Sequence, residues 1–174
     1  LAHKALTFFI NEESSLTQPV YRFVLDKEND LEIDTLFIKN IYSTKDSLSL
    51  KFYAIQLYQK LIAFHLAENN ASALLDVDLA RLNFVLRNSI HKDKNAFYFK
   101  SLSYIGKKYQ EIPHSSLICF YIAKHFYEEG KKYDPVVSDE FKWQTKKAIE
   151  ICDSIVSKYP NTVGANNCYN LKIE

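Results

Sequence analysis

At 174 residues, 47% hydrophobic and 25% charged, the chain is long enough to bury a core and too apolar to belong among disordered proteins. A net charge of +1 without blocks of like charge leaves no nucleic-acid footprint, since Lys107-Lys108 and Lys131-Lys132 are isolated pairs. No apolar run approaches the roughly 20 residues that a bilayer span requires.

Only 3 Gly and 4 Pro are present, too few for the many tight turns of a sandwich or barrel. The expected fold is all-α, antiparallel helix pairs stacked as a short array, and the 12 Tyr and 12 Phe suit the gaps between stacked helices. Residues 1–10 are helical by pattern, with Ala2, Ala5, Leu6 and Phe9 on one face. The stretch "PVYRFVLD" at 19–26 is β-like in composition but has no evident partner strand, so it is expected as extended chain packed on helices. Residues 1–45 therefore form a helix plus an extended segment, and 46–174 the helical array, within one compact domain.

Residues 46–69 and 71–88 read as a helical hairpin across Asn69-Asn70, each apolar over more than half its circumference, as helices covered on two sides are. A helix over 94–109 places Tyr98, Leu102, Ile105 and Tyr109 in register. The next, 115–130, has Ser115 or Ser116 as its cap, Ile118, Ile122 and Phe126 on one face, and Gly130 as a left-handed stop. Ser138-Asp139-Glu140 is a helix-start signature ahead of Phe141 and Trp143. It leads to Ala148, Ile151, Cys152, Ile155 and Tyr159, on one face of a 3.6-residue period. Lys158 suits the end of the helix dipole and Pro160 forbids continuation. Asn161 or Thr162 caps a last helix that contains Cys168 and ends at Glu174, and Gly164-Ala165 allow close approach.

Motifs for chemistry are scarce. There is no nucleophile elbow, P-loop, dinucleotide fingerprint or H-E-x-x-H. His65 with Glu68, and His125 with Glu128 or Glu129, face together at helical spacing, but no further ligands are marked, so surface ion pairs are expected. Glu111-Ile-Pro-His114 is a loop, and Asp76 and Asp78 point apart on a helix. The cysteines, Cys119, Cys152 and Cys168, are expected to be buried free thiols. A Cys152–Cys168 bridge would require their helices to pack together and an oxidising compartment. No catalytic residue, cofactor or metal is expected.

Internal similarity supports an array. "YAIQLYQKLIAFHL" at 53–66 and "KAIEICDSIVSKYP" at 147–160 share an Ala-Ile pair, and "YFKSLSYIGKKYQ" at 98–110 shares a Lys-Tyr ending with 158–159. The last copies resemble the tetratricopeptide repeat, with Ala148, Cys152, Ile155 and Pro160 at its second-helix spacing. Ala123, Phe126 and Gly130 match its first helix. Ile155 is larger than the usual alanine, and about a dozen residues are added after Gly130. The resemblance implies that Leu117, Phe120, Lys124, Tyr127 and Glu128 face a concave surface suited to a peptide or protein partner. The competing reading packs Phe120 and Tyr127 under residues 1–45 or under the insertion.

A closer resemblance lies in "LAHKALTFFINEESSLTQPVYRF", in "YAIQLYQKLIAFH" with "LLDVDLARLNFV", and in "KKAIEICDSIVSKYPNTVGANNCYNLK". These stretches are similar to the helical region near the N-terminus of bacterial alpha-2-macroglobulin-like proteins, ahead of their macroglobulin β-domains. The resemblance implies an extracytoplasmic cell-envelope setting, periplasmic or lipid-anchored, in a protein whose relatives trap or inhibit proteases. None of the three cysteines fits the Cys-x-Glu-Gln thioester of many relatives. Starting at Leu1 with no Met, the chain reads as a piece of a longer protein. Three functions follow: a non-catalytic scaffold or interaction module of such a protein, a stand-alone tetratricopeptide-type adaptor, and an all-α enzyme with a buried acid or metal site. The expected partners are other domains of the same chain or a protein or peptide, with no nucleic acid and no membrane span.

Overall fold

The computed structural model describes residues 2–10 and 19–173. Leu1 and Glu174, which the sequence pattern adds to the first and last helices, lie outside the described residues, as does 11–18 of the first family-like stretch. Among the described residues the chain is all-α, built of eight α-helices that pack as adjacent pairs. No helix among them is long and apolar enough to cross a membrane. Two compact units divide within the fifth helix, Leu1–Ser101 and Leu102–Glu174, whereas composition and pattern suggested a division at 45/46.

In the first unit, α1 (Ala2–Ile10) packs on α3 (Leu50–Ala67), burying Leu6 and setting Phe9 5.7 Å from Tyr53 between ring centroids. The Ser49 hydroxyl caps α3 by accepting from the Phe52 amide at 3.2 Å, which a substitution would forfeit at about 1 kcal/mol. Asn69 takes a left-handed backbone, φ 53°, and turns the chain into α4 (Ala71–Asn88). Asn70 Oδ1 caps that helix from the Ala73 amide. The hairpin closes over Ile55, Tyr58, Ile62, Leu82 and Phe84, all buried.

The segment before α3 is extended, as its composition suggested, and its only regular pairing among the described residues is one parallel bridge between Leu25 and Ser89. After it come a 3-10 turn, Glu28–Leu31, and a single-turn α2, Asp34–Phe37. Leu25, Leu31 and Phe37 are buried, so the polar backbone beside them must find partners away from water. Side chains from the helices supply them. Gln59 Nε2 donates to the carbonyls of Phe37 (3.0 Å) and Asn40 (2.8 Å), Arg81 Nη1 to that of Asp30 (3.1 Å), and Ser101 Oγ to that of Leu31.

The second unit takes the end of α5 (Lys94–Lys108), α6 (Ser115–Gly130), α7 (Gln144–Lys158) and α8 (Val163–Ile173). Helix α6 packs on both α7 and α8, and those two pack on each other. Their shared core is Ala123, Cys152, Ile155, Ala165, Cys168 and Leu171. Small side chains dominate it, which lets the backbones approach. The corner after α7 forms as expected: Asn161 turns left-handed at φ 65°, and Thr162 Oγ1 caps α8 from the Ala165 amide at 3.2 Å.

Three local expectations are corrected. Neither Ser115 nor Ser116 caps α6; the cap position is His114, and both serines are buried within the first turn. Gly130 is not a left-handed stop but remains helical; a Cβ there would fall 2.2 Å from Thr145 Oγ1 and 2.8 Å from its amide, so the glycine serves close packing. Helix α7 starts at Gln144 rather than near Ser138, because Phe141 adopts a left-handed backbone, φ 64°, which interrupts any earlier helical turn.

Candidate functional site

On α6, the five residues of the tetratricopeptide-like strip divide by environment. Lys124 and Glu128 are exposed, and Leu117, Phe120 and Tyr127 are half-buried. Phe120 and Tyr127 pack against the Ala123–Cys152–Cys168 core. Glu128 accepts from Lys131 Nζ at 2.9 Å, and that ammonium sits 4.3 Å from the Tyr127 ring centroid. The aromatic pair therefore covers the core of its own unit. Phe120→Ala and Tyr127→Ala should each cost about 2 kcal/mol, below the full-burial range, while Lys124→Ala should stay within about 0.5 kcal/mol. Urea unfolding of the three variants checks this; unchanged midpoints for the aromatic variants would mark the strip as free surface.

A second feature of the same unit was not anticipated. The end of α5, α6 and α7 enclose an open cleft of about 550 Å³, within the usual size range of ligand sites. Its floor is apolar, with Cys119 and Phe126 from α6 and Ile151 and Ile155 from α7. Its rim carries Lys107, Lys147 and Lys158 against a single glutamate, Glu150. Lys158 Nζ donates to Gln110 O (3.1 Å) and Glu111 (3.0 Å), and the Tyr159 hydroxyl donates to Gln110 O at 2.6 Å, closing one end. At the other end Lys147 Nζ lies 5.6 Å from the Phe126 centroid. Part of this was readable: Lys147, Ile151, Ser154 and Lys158 recur at i, i+4, i+7 and i+11, a stripe beside the core stripe of the same helix. The α5 and α6 contributions lie roughly 20 to 40 positions away in sequence and carry no local signal.

In the first unit, a cleft of about 340 Å³ runs along residues 21–27 and 42–45, with Asp30 in its wall. Asp30 is buried, and its carboxylate accepts from the Lys27 amide (3.0 Å) and the Tyr42 hydroxyl (2.9 Å). Burial raises its pKa above the ordinary carboxylate value, more than those hydrogen bonds lower it. The folded state thus holds this proton more tightly than the unfolded one. Ionising Asp30 costs stability as pH rises from the ordinary carboxylate range through the raised value. Burial likewise pushes the Tyr42 phenol up, helped by the Asp30 charge. Next to them Arg81 is fully buried, bonded to Asp78 through Nε (3.0 Å) and Nη2, and its guanidinium stacks 4.4 Å from the Phe37 centroid. Asp78 thus turns inward while Asp76 is exposed, which separates the two carboxylates as expected.

All three cysteines are free thiols; Cys152 and Cys168 are buried and Cys119 is half-buried. Helices α7 and α8 bring Cys152 and Cys168 together, with the Cys168 thiol donating to Cys152. That bond, with burial, holds the Cys168 thiol well above its ordinary pKa, and the same bond lowers that of Cys152 against the opposing effect of burial. His65 lies 4.0 Å from Glu68. Among the described residues no group of three His, Cys, Asp or Glu side chains could hold a metal ion. No family model, curated protein or solved structure matches the chain.

Proposed function

We propose that the chain is a non-catalytic helical-repeat scaffold or protein-interaction module of a cell-envelope alpha-2-macroglobulin-like protein. The observation that carries the module reading is the arrangement of α6, α7 and α8. One helix packs on both of its successors through alanine, glycine and cysteine positions, and an open apolar cleft is left beside them. Layered arrays gain stability from the interfaces between stacked helices and present concave surfaces to partners. The envelope setting and the link to protease-trapping relatives rest on the sequence resemblance.

A stand-alone tetratricopeptide-type adaptor is the second reading, favoured by the complete burial of Ala123 and Ala148, the two small contact positions. An all-α enzyme would need ionisable groups available to a substrate. The most buried ones, Asp30, Asp34, Asp78 and Arg81, are occupied in holding backbone and each other.

The reading frame that encodes this segment tests the setting. Macroglobulin β-domains downstream and an export signal upstream are the expected finding. A frame that encodes this segment alone, without an export signal, would overturn the envelope reading and leave the adaptor.

A further inference from the structure

We propose that the cleft between α5, α6 and α7 binds an extended acidic peptide segment of a partner protein, its apolar side chains on the floor and its carboxylates against Lys107 and Lys147. The assignment rests on the reading of the chain as an interaction module and names the class of partner.

The cleft follows α7 from Lys147 to Lys158, eleven helical steps or about 16 Å. An extended strand covers that length in about five residues and alternates its side chains between two faces. A ligand of period two would therefore bury every second side chain against Cys119, Phe126 and Ile151 and lift the others to the rim. The charge at the rim selects what those others are. Lys107 on α5 and Lys147 on α7 are exposed, and among the described residues neither makes an ion pair. The one lining carboxylate, Glu150, faces Lys146 Nζ at 3.8 Å, so it does not neutralise them. Lys158 is held by Glu111 and Gln110 and shapes the end of the cleft instead of offering charge. Two uncompensated ammonium groups on flexible stems above an apolar floor are complementary to carboxylates flanking apolar side chains.

The test uses the whole chain and a fluorescein-labelled heptapeptide alternating glutamate with leucine and phenylalanine. Two control peptides carry lysine for every glutamate, or serine for every apolar residue. Fluorescence anisotropy should show saturable binding of the acidic peptide and none of either control. Alkylation of Cys119 by N-ethylmaleimide, mapped by mass spectrometry, should slow when that peptide is bound, because the thiol lies on the floor. The double variant Lys107→Glu with Lys147→Glu should bind about tenfold more weakly. Should its melting temperature fall, Ser154→Trp, a substitution of an exposed cleft residue, blocks the same floor and should weaken binding likewise.

Absent saturation, equal binding of the serine or lysine peptide, or unchanged affinity in the variants would overturn the assignment. A protein partner whose binding ignores the lysine and Ser154 variants would overturn the cleft and leave the module reading standing. Dimerisation in sedimentation velocity that the double variant abolishes would make the occupant a second copy of the chain, and would also overturn it.

Discussion

Arg81→Leu is expected to cost about 3–5 kcal/mol of folding stability, the range for breaking a buried ion pair from one side. The guanidinium is fully buried on α4 and works in three directions: to the Asp78 carboxylate, to the Asp30 carbonyl, and over the ring of Phe37. Leucine removes the countercharge of a buried carboxylate and the donor of a buried carbonyl together. Either loss alone costs more than the small net worth of an ordinary hydrogen bond. Adding Asp78→Leu to the variant should recover much of the loss, because an apolar pair of similar volume avoids the desolvation of both ions. Urea unfolding of the two single variants and the double variant measures the coupling. A single-variant loss below about 1 kcal/mol would mean that Arg81 does not anchor the 3-10 turn at Asp30.

Gly164→Ala should destabilise the second unit by about 3 kcal/mol or more, at the upper end of overpacking costs. A Cβ at this position would lie 2.1 Å from the Ser116 carbonyl carbon, 2.3 Å from its oxygen and 2.4 Å from the Leu117 amide. These are backbone atoms of α6, and no rotamer change moves them away. Helix α8 must withdraw, and with it the Ala165 and Cys168 side of the core. Gly106→Ala is the informative contrast. Its added methyl would meet Ile122 Cδ1 at 3.0 Å, the mobile end of a side chain. There the helix-propensity gain of about 1 kcal/mol offsets the crowding, so the net change should be close to zero. Thermal melts of both variants decide the matter, and equal melting temperatures would refute a backbone contact at Gly164.

These two sites differ in how far they can be read in advance. Gly164 stands beside Ala165 after a proline corner, a pattern that announces close approach, although not its partner. Arg81 gives no such notice: an arginine in an apolar helix reads as an exposed charge, and only the arrival of Asp30 and Phe37 from some fifty residues upstream buries it. The serine pair at 115–116 failed as a cap for a related reason. Capping is a local preference, and burial of that first turn outweighed it.

What the amino-acid sequence determines by itself is the set of long helices, α3 to α8, and the inward faces of α5 and α7, whereas on α6 the face toward the core runs through Ala123, Phe120 and Tyr127. The Ala148–Cys152–Ile155 spacing, the stop at Pro160 and the turns at Asn69 and Asn161 all act within one or two helical turns, where covalent geometry and local sterics decide. Tertiary structure alone decided how residues 19–45 are held, why Gly130 stays helical, and where the lysine-rimmed cleft forms. Each of those depends on side chains far apart in sequence meeting at one place: Gln59 and Arg81 on buried carbonyls, Thr145 against Gly130, and Lys107 and Lys147 lining one cleft. The energy of such meetings comes from desolvation and excluded volume, which a linear pattern of residues does not encode until the helices have packed.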